Sequence, residues 1–140
     1  MTTVNQFVYP IRVQIEDTDF SGVVYHANYL KYMERARSEW LDSVGAGIEW
    51  QRAEQVGFMV HSAEIEFIQP ARLHELIEVV TSIRVLRKAS VVFDHHLHVT
   101  GAKDNILSRA RMKIACVDGN LKPRALPDAP IFAMIRRELS

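Results

Sequence analysis

The sequence predicts an α+β domain, a mainly antiparallel sheet of about five strands with one long helix laid over one face. Three observations carry that prediction. Apolar residues alternate from Phe7 to Ile15, then recur at three-and-four spacing from Tyr29 to Val44. After Gly57 four stretches rich in Val, Ile and Phe follow one another, with charged residues interleaved. An order of strand, long helix and four consecutive strands gives hairpin connections, and so antiparallel pairing.

In the first strand Phe7, Tyr9, Ile11, Val13 and Ile15 alternate with Val8, Pro10, Arg12 and Gln14. Pro10 has no N–H for a ladder, which places this strand at an edge or starts it late. The helix begins near Tyr29 and buries Tyr29, Leu30, Met33, Ala36, the stem of Arg37, Trp40, Leu41 and Val44. Gly45 and Gly47 end it. A short second helix is expected from Ile48 to Gln55, before Gly57. The later strands are Phe58 to Ile68, Leu76 to Leu86, Ser90 to Val99 and Ile106 to Val117, with a turn at Asp118-Gly119-Asn120 and a terminal helix within Asp128 to Leu139. No repeat or linker interrupts residues 1–140, so a single domain is expected. One helix leaves part of the sheet edge uncovered, and a homodimer that extends the sheet would cover it.

Composition narrows the function. Apolar residues make up 48% and charged residues 24% of the 140, as in ordinary globular domains. Lys plus Arg and Asp plus Glu number 17 each, so no global field draws in nucleic acid or anionic lipid. A phosphate-bearing ligand would need a local group of cations. Cys116 is the only cysteine, which forbids an internal disulfide and fits a cytoplasmic setting. The N-terminus lacks the basic and apolar regions of a secretory signal, and no run of about 18 apolar residues predicts a membrane span.

Chemistry concentrates in Glu16-Asp17-Thr18-Asp19-Phe20-Ser21-Gly22-Val23-Val24-Tyr25-His26-Ala27-Asn28-Tyr29. A polar, glycine-containing loop that feeds a helix holds a carboxylate beside free backbone N–H donors. Asp19 is the first candidate, as nucleophile or general base; its alternative is an Asx turn or cap with no chemistry. Asp17 reads as a turn former or the partner of a cation. Gly22 permits a tight turn. The N–H groups of Val24 to Asn28 would form an oxyanion pocket, to which His26 brings its ring, its N–H or only packing. Asn28 suits an N-cap. A carboxylate with an oxyanion pocket suffices for a thioester, because a thiol with a pKa of about 8.5 leaves as thiolate without an acid; an amide needs more. The templates G-x-S-x-G, P-loop, G-x-G-x-x-G and H-E-x-x-H are absent. Cys116 lies in an apolar strand and reads as buried and inert. His95, His96 and His98 invite a metal check, but no further ligand completes a set near them in the sequence. Arg84, Arg87 and Lys88, with Lys122 and Arg124, are either solvated or bind the phosphates of a nucleotide-bearing thiol carrier.

These loop residues, with Tyr32-Met33-Glu34-Arg35-Ala36-Arg37, closely resemble the hotdog-fold acyl-CoA thioesterases of the hydroxybenzoyl-CoA thioesterase family. Within it the chain looks most like the subfamily encoded with the bacterial Tol–Pal envelope system. The resemblance spans nearly the whole chain, including Pro70-Ala71-Arg72 and Lys122-Pro123-Arg124-Ala125-Leu126-Pro127. It implies a hotdog fold paired into dimers and usually tetramers, and an acyl-CoA thioesterase that needs no metal or redox cofactor. Asp19 matches the catalytic aspartate, and the backbone N–H of His26 matches the donor that polarises the thioester carbonyl. Gly22, Tyr25, Asn28 and Tyr29 fall on the substrate side. Arg87, Lys88, Ser90 and Arg124 fall near the coenzyme A phosphates, partly across the subunit boundary. Acyl carrier protein is the alternative carrier. Two other readings remain: a scaffold for phospholipid-synthesis or envelope partners, and a hotdog dehydratase. The dehydratase ranks last, since the helix from Leu30 to Val44 has no histidine.

Overall fold

A computed structural model describes residues 4–140 of the chain. These residues form β1 (Phe7–Arg12), α1 (His26–Ser43), α2 (Ile48–Glu54), β2 (Gly57–Phe67), β3 (Leu76–Leu86), β4 (Ser90–Val99), β5 (Ile106–Val117) and α3 (Pro130–Leu139). Every strand pairing is antiparallel, and the sheet order is β1-β3-β4-β5-β2. The links β3–β4 and β4–β5 are hairpins, as the sequence order predicts. β2 departs from that order: it does not pair with β3 but crosses to the far edge beside β5. β1 holds the opposite edge, the position Pro10 requires, with Pro10 opposite Glu78.

α1 crosses the inner face of the sheet with Tyr29, Tyr32, Met33, Ala36, Arg37 and Trp40 buried. Trp40 stacks on Phe7 at 6.3 Å between ring centres and meets Phe93 edge-on. Val79, Ile83, Leu97 and Met112 of the sheet complete the core beneath it. This is the hotdog arrangement, a sheet curled around one long helix. No helix of the described residues is long and apolar enough to cross a membrane.

Element ends differ from the sequence pattern in places. β1 stops at Arg12, since residues Ile15–Asp17 coil into a 3₁₀ turn and leave Ile15 exposed. Val13, one step earlier, stays buried. α1 starts at His26, about a turn before Tyr29, and its N-cap is Tyr25, not Asn28. α2 ends at Glu54, with Gln55 in the left-handed region at φ 57°. α3 starts at Pro130, whose fixed φ suits a first turn.

One buried polar chain crosses the core. Arg37 Nη1 donates to His95 Nε2 at 3.1 Å and contacts Met112 Sδ at 2.9 Å. A guanidinium cannot accept, so Nε2 is the acceptor, and the His95 proton sits on Nδ1. Nδ1–H then donates to Thr81 Oγ1, 2.9 Å away. This tie, not a metal, accounts for His95. Burial first, and then the Arg37 charge, push its pKa down to about 3. Tyr32 presents the contrary case. Its hydroxyl is buried and makes no hydrogen bond of good geometry among the described residues, although the Asp17 carboxylate lies close to it. Burial and then the nearby Asp17 carboxylate raise its pKa.

Two predictions follow from these groups. The unfolded chain protonates His95 near pH 6.5 and the folded chain only near pH 3, so between those values the unfolded state binds more protons. Unfolding free energy should therefore fall as pH drops below about 6.5, by up to about 1.4 kcal/mol per unit from this residue. Urea titrations at pH 7, 6 and 5 should show this slope, and His95→Gln should flatten it; an equal slope in both proteins contradicts the assignment. Tyr32→Phe removes a buried hydroxyl that makes no good hydrogen bond among the described residues, so its unfolding free energy should match or exceed the parent's. A loss of about 1 kcal/mol or more in urea denaturation would reveal a hydrogen bond there.

Candidate active site

The loop between β1 and α1 is held by its own backbone. Asp17 is buried, and its Oδ2 accepts the Gln14 N–H at 2.9 Å. Its carbonyl accepts the Tyr25 N–H at 2.9 Å and the Asn28 Nδ2–H at 2.8 Å. Two steps on, the Asp19 N–H donates to the Val23 carbonyl at 2.9 Å, while the Asp19 carbonyl accepts the Gly22 N–H at 3.0 Å. Gly22 sits at φ +78°, where a Cβ would strain the backbone. Val24 N–H to the Ala71 carbonyl, and Leu73 N–H to the Gly22 carbonyl, stitch the loop to the segment before β3. The loop is thus a shelf fixed to the sheet.

Asp19 stands half-buried on this shelf. Its Oδ1 accepts the Ser21 N–H at 2.8 Å, the Asx turn of the bland reading, while Oδ2 makes no hydrogen bond among the described residues. The bond fixes the carboxylate and leaves one oxygen for chemistry. α1 begins a few residues on. Tyr25 caps it without a side-chain bond, so the N–H groups of His26 and Ala27, the first two of the helix, have no intrahelical acceptor. They are a positive, donor-bearing helix end a few residues along the chain from Asp19.

Aromatic rings wall this surface. The Tyr25 ring lies 4.4 Å from the His26 ring, and Phe67 meets His26 at 6.2 Å and Tyr29 at 5.4 Å, edge-on. The Tyr29 hydroxyl accepts the Ala71 N–H at 3.0 Å, anchoring its ring. Phe67 escaped the sequence reading; an exposed aromatic at the last position of a strand was its only signal. Asn28 is a tie between Asp17 and the helix, not a cap. Met33 is wholly inside the core, as the helix pattern predicts.

The proposed phosphate-binding residues lie elsewhere. Arg87 N–H donates to the Ser90 carbonyl across the β3–β4 turn, and Leu126 N–H donates to the Lys88 carbonyl, which binds the turn to the Arg124 segment. Arg87 and Lys88 are exposed, whereas Ser90 is buried. Arg124 donates from Nε to the Ala125 carbonyl and from Nη1 to the Glu54 carbonyl at the end of α2, so part of its donor set is engaged. Arg84 pairs with Asp94 at 3.3 Å and leaves the group. This group sits at the end of β3, while the Asp19 shelf sits at its start. Eleven strand residues between them span roughly 33 Å, so one chain does not bring the two together.

A cavity of about 550 Å³ opens at the cationic end, between α1, α2 and the inner face of β2, β4 and β5. Phe58 lines it, so Phe58 and the Tyr25–Tyr29 wall also lie at opposite ends of one chain. Met59, Val60 and Phe67 of the edge strand β2 are exposed between them. His98, buried, lies 3.6 Å from Glu78, and among the described residues no group of three or more His, Cys, Asp or Glu is placed to hold a metal ion. Cys116 is buried, and burial raises its thiol pKa.

Comparison with known proteins places this geometry. Residues 13–136 match the family described as the thioesterase-like superfamily. The acyl-CoA thioester hydrolase YbgC of Escherichia coli O6:H1 is 41% identical over 86% of this chain and 90% of its own length. The YbgC acyl-CoA thioesterase of Haemophilus influenzae is 39% identical over 88% of this chain and 90% of its own. Among solved structures, a probable thioesterase from Bartonella henselae superposes with a TM-score of 0.80 at 35% identity, covering 87% of this chain and 99% of that one. With its sheet, helix and loop continuous across this match, the chain belongs to the thioesterase-like superfamily, in its YbgC branch.

Proposed function

We propose that the chain is an acyl-CoA thioesterase whose site is completed by a second copy. The observation that carries this is the half-buried Asp19 carboxylate on the loop that leads into α1, whose first amides, at His26 and Ala27, have no intrahelical acceptor. Relatives that share most of the chain are named for acyl-CoA thioester hydrolysis, which supports the substrate class.

A second copy resolves the separation within one chain. β2 is an edge strand with exposed apolar side chains, so a like strand can add to it antiparallel across a two-fold axis. That pairing sets the Phe67 end of one copy beside the Gly57 end of the other. The Asp19 shelf of one copy then faces the cavity and the Arg87–Lys88 turn of its partner. Acyl group, thioester and coenzyme phosphates gain a place along one boundary.

The chemistry follows from the donors. The thioester oxygen accepts from the His26 N–H, with Ala27 beside it, where an oxyanion is worth about 3 kcal/mol per fixed donor. Asp19 Oδ2 attacks the carbonyl carbon, or draws a proton from a water that does. The tetrahedral intermediate collapses with loss of the thiolate, which takes up a proton from solvent. In the first route water then hydrolyses the aspartyl anhydride, freeing the acid and Asp19. Gly22 keeps the shelf tight, Tyr25 and Tyr29 guide the substrate, and Asn28 holds helix to loop. Arg87 and Lys88 attract the phosphates, with Arg124 and Ser90 supporting that turn.

Two experiments test this reading. Asp19→Asn should fold as the parent does, by circular dichroism and melting temperature, and lose at least about 10³ in kcat measured by free-thiol release. A variant with parental kcat removes Asp19 from the mechanism. Mixing refolded Asp19→Asn with the double variant Arg87→Ala, Lys88→Ala at subsaturating acyl-CoA should recover about a quarter of parental activity, since half the random dimers carry one intact site of two. No recovery above the sum of the separate variants would place the site within a single copy.

A further inference from the structure

We infer that Arg37 sets acyl specificity: it makes the cavity beside α1 a receptor for acyl groups that end in a carboxylate. This rests on the reading above, in which cavity and Asp19 serve one thioester.

Arg37 is only 8% exposed, yet it forms no ion pair among the described residues. The acceptors it does have, the His95 imidazole and the Met112 thioether, are neutral, and both contact Nη1. Among the described residues Nε and Nη2 make no hydrogen bond, and Arg37 lines the cavity. A guanidinium stays charged at neutral pH, and burying that charge without an anion is costly. His95 cannot share the load as a cation or an anion, being held neutral with its proton on Nδ1 toward Thr81. Glu34, one turn earlier on α1, favours the Arg37 charge, but it is exposed and screened by water, which leaves room for a closer anion in the cavity.

The rest of the lining says what that is. Phe58, Phe93 and Ile114 offer apolar walls suited to methylene groups. Glu34, Glu39 and Asp42 also reach the cavity, but all are exposed, where water screens them. A cavity lined by these apolar side chains and by Arg37 matches a short chain closed by a carboxylate, which a guanidinium takes in bidentate fashion. At about 550 Å³ the space is within the usual range for small-molecule sites.

The direct test compares glutaryl-CoA with valeryl-CoA, which differ by a carboxylate in place of a terminal methyl. The parent protein should favour glutaryl-CoA by at least about tenfold in kcat/KM. Arg37→Met should lower that ratio at least tenfold, mainly through KM for glutaryl-CoA, and Arg37→Lys should restore part of it. An unchanged ratio in Arg37→Met overturns the inference. Should that variant not fold, calorimetry on the parent protein decides: glutarate must bind at least about tenfold more tightly than its neutral isostere glutaramide, and equal binding overturns it. If glutarate binds so but no acyl-CoA is turned over, the thioesterase reading falls and the cavity assignment stands. Turnover of both thioesters without preference sinks the cavity assignment alone.

Discussion

The carbonyl of Asp17 holds the site together. It accepts from the Tyr25 N–H and from the Asn28 side chain at once, joining the end of β1 to the head of α1. With both donors in place, the residues between close in a tight turn with Gly22 in the left-handed region, and Asp19 stands on that turn just ahead of the helix. The buried Asp17 side chain secures the other flank through Gln14. Neither contact reaches a substrate. Both decide where Asp19 stands, which in the proposed reaction spares reorganisation when charge develops on a bound thioester.

The same sheet that fixes the shelf also divides the function. Strands of about eleven residues put the acidic loop and the cationic turn at opposite ends of one chain. β2, sent to the far edge by its crossover, leaves an open edge with exposed apolar side chains near both ends, Met59 and Val60 at one and Phe67 at the other. Edge strands of that length are normally blunted or paired. An antiparallel copy would pair it and, by reversing direction, align each end with its complement. Oligomer and active site then become one requirement.

Much of this was legible in the sequence, for physical reasons that differ by element. β3, β4 and β5 begin and end where their alternation does, because each is bounded by a turn and packs its apolar face on α1. The start of α1 was misplaced, since its first turn, His26 to Asn28, lies outside the buried stripe and carries no apolar signal; backbone bonding to the loop starts it instead. The place of β2 was illegible, because pairing with β5 is a long-range choice that local pattern does not encode. Asp19 and His26 stand in the loop and at the helix head, where the sequence put them. Ser90 and Arg124 are partly withdrawn by burial and by carbonyls, and Arg84 by Asp94, none of which spacing reveals. Arg37 was read as a packing stem and His95 as a metal candidate. Their pairing across helix and sheet appears only once the fold brings positions 37 and 95 together.

The most direct measurement is a crystal structure with an acyl-CoA analogue whose thioester sulfur is replaced by methylene. The account predicts the analogue's carbonyl oxygen about 3 Å from the His26 N–H, with Asp19 of the same copy against the carbonyl carbon and the phosphates on Arg87 and Lys88 of the other. An analogue whose carbonyl lies away from Asp19, or whose two ends are held by a single copy, would contradict it.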